Sequence, residues 1–171
     1  MPCYILARMN PRLLVFAGAL LGCGSLLVSA QEPAPSGAFT TAQAEAGRAA
    51  YEKSCGQCHT YAVTGRSGKE GELPPLESLP APYLKFIGPR KRVPPLVGKQ
   101  FVDKYGQKTL REMFVLFRGA ANSTPVSVLK MSDETLVDIT AYILAKNGGQ
   151  AGNESLTADS PTLFHSVVAS H

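Results

Sequence analysis

Hydrophobic positions along this chain form one long unbroken run, then two periodic stretches and an alanine-rich one, divided by irregular sequence. The unbroken run spans Leu13 to Ala30, follows Arg8 and Arg12 with no acid nearby, and ends Val28-Ser29-Ala30 before Gln31. That is the layout of a secretory signal peptide over residues 1–30. Two other fates stay open: retention as a short membrane anchor, or lipidation at the cleavage-box-like Leu20-Leu21-Gly22-Cys23. Cleavage after Ala30 ranks first, because the apolar Leu26-Leu27-Val28 would directly follow a lipidated Cys23. Residues 31–39, with two prolines, Ser36 and Gly37, are expected to be a linker.

A helix is expected to start at Thr40, where Thr40-x-x-Gln43 makes a capping box and alanines favour propagation. Gly47, Tyr51 and Cys55 lie four apart, so one face offers a small gap and a ring to a crossing helix. From Thr60 to Pro95 the sequence is rich in proline and glycine, which predicts a long loop with at most short helical turns. Leu110, Met113, Phe114 and Phe117 then recur at helical spacing within Thr109 to Arg118, a core helix. The last helix is bounded by Ser132 as N-cap and Gly148 just past its end, with Asp133 and Glu134 first and Lys146 last. Leu136, Ile139, Ala141, Tyr142 and Ile143 supply its packing surface. Residues 149–171 are polar and irregular, and are expected to form a weakly ordered tail.

Charge excludes little but helps. The formal net charge is +4, and removal of residues 1–30 takes two arginines and no acid. The modest remainder argues against a general nucleic-acid binder. Basic residues are nonetheless concentrated between Lys85 and Arg118, against only Asp103 and Glu112. Such a stretch is either a solvated face or a surface that steers an acidic partner.

The chemistry is carried by Cys55-Gly56-Gln57-Cys58-His59. In a C-x-x-C-H run two thiols add to the haem vinyl groups as thioethers while the adjacent imidazole faces the iron, the pattern of c-type haem attachment. A redox dithiol would want a βαβ context, and a zinc site a second pair of ligands at metal spacing. The chain has neither, and its other cysteines, Cys3 and Cys23, fall in the export segment. A carbonyl in Val93-Pro94-Pro95-Leu96-Val97-Gly98 is one possible acceptor for the His59 Nδ1 proton, and a plain proline turn is the alternative.

Together these residues resemble the class I c-type cytochromes over Thr40 to Gly148. Gly47-x-x-x-Tyr51-x-x-x-Cys55-x-x-Cys58-His59 has the spacing of that family's first helix and haem motif, and Asp138 to Ile143 the shape of the helix crossing it. The resemblance implies an all-α fold packed around one covalent haem c, with a domain at 40–148. It also implies that Gly47 and Tyr51 meet Ile139 and Tyr142, that the Pro94 carbonyl bonds the haem histidine, and that Leu96 touches the haem. Pro94 to Gly98 and Ala141 to Gly148 are similar to bacterial monohaem cytochromes associated with periplasmic quinoprotein dehydrogenases.

The departure is on the distal side. The family usually carries a Met-Pro pair before the last helix, and here the corresponding pair is Thr124-Pro125. Met113 belongs to the core stripe. Met131 is either a hydrophobic staple onto Leu136 or a shifted axial ligand. His165 and His171, in the tail, are solvated by default and sixth ligands in a minority reading.

The expectation is a periplasmic one-electron carrier, not an enzyme, with Cys55 and Cys58 anchoring, His59 ligating iron and Met131 the candidate sixth ligand. Its partners would be redox proteins such as a periplasmic dehydrogenase or terminal oxidase, with no nucleic acid and with membrane contact only through an N-terminal anchor. Two alternatives remain. One is an open distal site that binds a small ligand or reacts with peroxide, although no histidine lies between Thr60 and Phe164 to act as distal acid or base. The other is a haem subunit of a dehydrogenase or oxidase complex.

Overall fold

The computed structural model describes residues 37–67, 75–87 and 92–168, all within one compact unit, Pro33–His171. The segment expected to serve export, most of the expected linker, Arg90, Lys91 and His171 lie outside the described residues. Seven helices, two short 3-10 turns and one pair of two-residue strands make up the described chain.

Helix α1 (Thr41–Lys53) starts as its sequence predicts: Gln43 N–H donates to Thr40 Oγ1 and Thr40 N–H donates to Gln43 Oε1. Helix α6 (Asp133–Lys146) starts on Ser132, whose hydroxyl accepts from Thr135 N–H. The two helices cross at Gly47, where a Cβ would overlap the Asp138 carbonyl, so hydrogen is the only side chain the contact admits. One turn on, the Tyr51 and Tyr142 rings meet at 5.1 Å with a 49° tilt. Tilted rings at that distance avoid face-to-face quadrupole repulsion and add about 0.5–1.5 kcal/mol to the burial itself. The expected stripe lies on α5 (Leu110–Ser123), which runs five residues past Arg118; Leu110, Met113 and Phe114 are buried and Phe117 packs beside them.

Three expectations need correction. The Thr60 to Pro95 loop contains, besides a 3-10 turn at Leu76–Ser78 and α3 (Ala81–Leu84), an antiparallel pairing of β1 (Arg66–Ser67) with β2 (Arg92–Val93). Two-residue strands carry no alternation to read. Helix α4 (Lys99–Tyr105) was not expected, because it is only seven residues long and of its residues only Phe101 is buried, with Val102 and Tyr105 packed partly beside it. The third concerns the tail. Residues 149–168 are packed rather than weakly ordered: Leu156, Phe164 and Val168 are buried in the main core.

The tail acts as a strap. Gly152 N–H donates to Phe39 O, Leu156 N–H to Gln43 Oε1, and Leu110 and Arg111 N–H to the carbonyls of Thr162 and Ser160. It ends in α7 (Phe164–Val167), where the Phe164 ring meets Phe101 edge-on at 5.7 Å and His165 Nδ1 lies 2.8 Å from Gly106 O. Three widely spaced apolar residues suffice because α1, α4 and α5 supply the other half of the contact.

Candidate functional site

The site grows from the end of α1. Ser54 stops that helix with non-helical dihedrals, and Cys55 opens the four-residue α2 (Gly56–His59), which carries the rest of the motif. Gly56 is buried beneath the Tyr51 ring, so the motif is seated directly on the α1/α6 crossing. Cys55 and Cys58 are free thiols, each half-buried. Burial pushes both thiols above their usual range; the Ser54 hydroxyl opposes this at Cys55, and the Arg66 guanidinium opposes it at Cys58.

His59 Nδ1 lies 2.9 Å from the Pro94 carbonyl, so the ring donates there and Nε2 is the nitrogen turned elsewhere. Burial holds the imidazole below its usual value, with the Pro94 hydrogen bond opposing. A neutral, tautomerically fixed imidazole is what a metal takes as ligand.

The segment after His59 is bent sharply around it. Thr60 (φ 65°) and Val63 (φ 62°) both occupy the left-handed region, which costs a β-branched residue about 1–3 kcal/mol. Several bonds hold the bend: Tyr51 Oη donates to Thr60 O at 2.9 Å, Gly65 N–H to His59 O at 2.9 Å, and Leu96 N–H to Val63 O at 2.9 Å. The buried Tyr51 phenol is pushed well above its usual range by burial, so it stays a donor. Gly65 (φ 77°) is pressed against the Val93 carbonyl, where a Cβ would collide.

Arg66 closes the other side. Its Nε donates to Cys58 O at 3.1 Å, one terminal nitrogen to Gln57 O at 3.2 Å and the other to Ser78 Oγ at 2.6 Å. A cation on the last carbonyls of a helix is favourable through charge and hydrogen bonding together. Beside it a second small core joins Leu76, Leu79 and Val93 to Cys58, Tyr83 and Ile87. Neither Arg66 nor the Tyr51 hydroxyl was foreseen as part of the site, and no local pattern marks either one.

The other candidates are distributed as follows. Pro94 is exposed and supplies the carbonyl; Leu96 is half-buried against the main core. Met113 is fully buried on α5. Met131 is half-buried and packs against the core that includes Leu136, next to the α6 N-cap. His165 is exposed and engaged with Gly106.

Two free thiols and an imidazole with one nitrogen already anchored, all on one helical turn, fit a covalently held haem. Among the described residues no group of three or more His, Cys, Asp and Glu side chains converges as a metal-ion site, so a zinc reading finds no added ligands there. Of the basic stretch, Lys99, Lys108, Arg111 and Arg118 are paired with Asp103, Glu112, Asp159 and Asp133, while Lys85 and Lys104 lie over the Phe86 and Tyr105 rings.

Compared with known proteins, the chain matches the family model described as Cytochrome c over residues 44–146. No curated protein and no solved structure matches it.

Proposed function

Because the chain belongs to the cytochrome c family, whose members are haem-based electron carriers with haem c held covalently, we propose that it is a class I monohaem cytochrome of the bacterial periplasm. The observation that carries this reading is the His59 Nδ1 to Pro94 O hydrogen bond, made within one turn of two free half-buried thiols. Haem, when bound, supplies one-electron exchange at iron between the ferric and ferrous states. Cys55 and Cys58 would hold it, His59 would present Nε2 to the iron, and Leu96 would lie against it. The Pro94 carbonyl fixes the imidazole tautomer and raises its basicity. The chain needs no general acid or base for that task.

Residues 1–30 act in this reading as the export signal, and among the described residues no helix is long and apolar enough to cross a membrane. The partner is a redox protein such as a periplasmic dehydrogenase, with similarity to cytochromes that serve quinoprotein dehydrogenases supporting that choice. The exposed Lys85, Arg92 and Lys104 give an acidic partner something to approach.

Met131 is the candidate sixth ligand, its thioether favouring ferrous iron. A second reading follows from where it sits. Packed against the core at the start of α6, Met131 also serves as a staple, which leaves the distal position to a small exogenous ligand.

Visible and near-infrared spectra of the purified protein, oxidised and reduced, with and without carbon monoxide, separate these readings. A low-spin spectrum with a methionine-to-iron band, unmoved by carbon monoxide, supports the carrier with Met131 bound. A high-spin spectrum that shifts at once with carbon monoxide supports the open site. Cys55→Ala with Cys58→Ala must abolish haem that survives denaturing electrophoresis; retention of covalent haem in that variant rejects the assignment.

A further inference from the structure

We infer that Asn147 is a positioning residue for His59, acting through the Pro94 to Gly98 loop; this rests on the reading of His59 as the iron ligand. Asn147 is 1% exposed at the C-terminal end of α6. Its Nδ2 donates to Leu96 O at 3.0 Å and to Ile143 O at 2.8 Å, and its Oδ1 accepts from Gly98 N–H at 3.1 Å. One buried amide thus binds its own helix once and the loop twice.

The helix does not require this to end. Gly148 turns at φ 87°, and Gly148 and Gly149 N–H donate to Ala145 O and Leu144 O, which closes the helix end by backbone alone. The two loop bonds are therefore additional to capping. The loop, in turn, depends on them. Pro94 and Pro95 have no N–H, so neither donates a backbone bond that would hold the segment bearing the Pro94 carbonyl. On the side before Pro94, Val93 is held by its pairing with Arg66; on the side after it, anchorage comes from Leu96 and Gly98, which bond to Val63 O and to Asn147. Only Pro95 separates Leu96 from Pro94; its ring fixes φ, and a residue before proline is restricted to extended conformations. A displacement of Leu96 is therefore passed on to the Pro94 carbonyl and to the imidazole bonded to it.

A firm Nδ1–H to carbonyl bond makes the imidazole more basic and favours ferric iron. Loosening the clamp should weaken that bond and raise the reduction potential. The test uses the haem-loaded protein with Asn147→Ala and the milder Asn147→Ser, against Thr140→Val, which removes a buried hydroxyl bond to Leu136 O on the same helix and no hydrogen bond to the loop. Both Asn147 variants are expected to shift the hyperfine-shifted haem-methyl and His59 ring resonances and to raise the potential. Thr140→Val should lower the melting temperature and leave both readouts at wild-type values. Wild-type shifts and potential in Asn147→Ala and Asn147→Ser, whatever their stability, overturn the inference alone and reduce Asn147 to a helix cap. A wild-type His59 ring with no hyperfine shift overturns the ligand assignment and this inference with it.

Discussion

The α1/α6 crossing and the segment from Thr60 to Gly98 lie on either side of His59 and are held by opposite means. The crossing is apolar contact between regular helices, tight enough that Gly47 meets the Asp138 carbonyl and Tyr51 meets Tyr142. The described residues of the segment have little regular structure and are fixed by single directional bonds: Tyr51 and Asn147 donate to its Thr60 and Leu96 carbonyls, and its own Arg66 donates to the Cys58 and Gln57 carbonyls of the motif helix. Contact energy spreads over many atoms, whereas a buried hydrogen bond is lost whole when one partner goes. The crossing should therefore respond to volume and the segment to single polar groups.

The largest effect is expected where the strap borrows the logic of the crossing. Phe164→Ala empties a site that is 1% exposed beside Phe101 and should cost about 3–5 kcal/mol in denaturant unfolding of the haem-loaded protein. A weakly ordered tail would give almost no change, so this variant decides whether residues 149–168 belong to the core. Next, Gly47→Ala adds one methyl group against backbone and should lose about 1–3 kcal/mol, with the Tyr51 and Tyr142 resonances displaced together.

On the polar side, Arg66→Gln removes charge-assisted bonds to the Gln57 and Cys58 carbonyls, and its effect should be local. Amide exchange around Cys58 and Gly65 should quicken while the global unfolding midpoint moves little; a large global shift would make the segment part of the cooperative core. Tyr51→Phe belongs to both regions at once. It keeps the ring in the crossing and deletes the bond to Thr60 O, so about 1 kcal/mol is expected, with faster exchange near Thr60 and none within α1.

The smallest effect is a pH dependence far from the site. Glu112 is held below the usual carboxylate range by the Thr109 N–H and hydroxyl that form the α5 capping box. Its contribution is complete above the ordinary carboxylate range and is lost as pH falls through the lowered value. Glu112→Gln should flatten the acid limb of the melting curve slightly; an unchanged limb would remove Glu112 from the account.

What was legible in the sequence was what repeats locally. Both long helices that bear the crossing were announced by their caps, Thr40 with Gln43 and Ser132 with Asp133 and Glu134, because capping is settled within one helical turn. The α5 stripe was legible for the same reason, and five adjacent residues pointed to the family that the comparison shows. Leu156 stands alone and gave no period, and Phe101, Phe164 and Val168 lie in or beside helices of seven and four residues, too short for their spacing to stand out.

The sequence by itself determined the starts of α1, α5 and α6 and the C-x-x-C-H motif, which rest on interactions within a few residues, and it marked Gly47 as a gap whose partner, the Asp138 carbonyl, only the fold supplies. Only the tertiary structure decided that Arg66 caps the motif helix and that Asn147 holds the loop, and it supplied the His59 bond that the resemblance had implied at Pro94. Those bonds span 35 residues from His59 to Pro94 and 51 from Asn147 to Leu96, and a hydrogen bond depends on where two groups are brought, which chain order does not record.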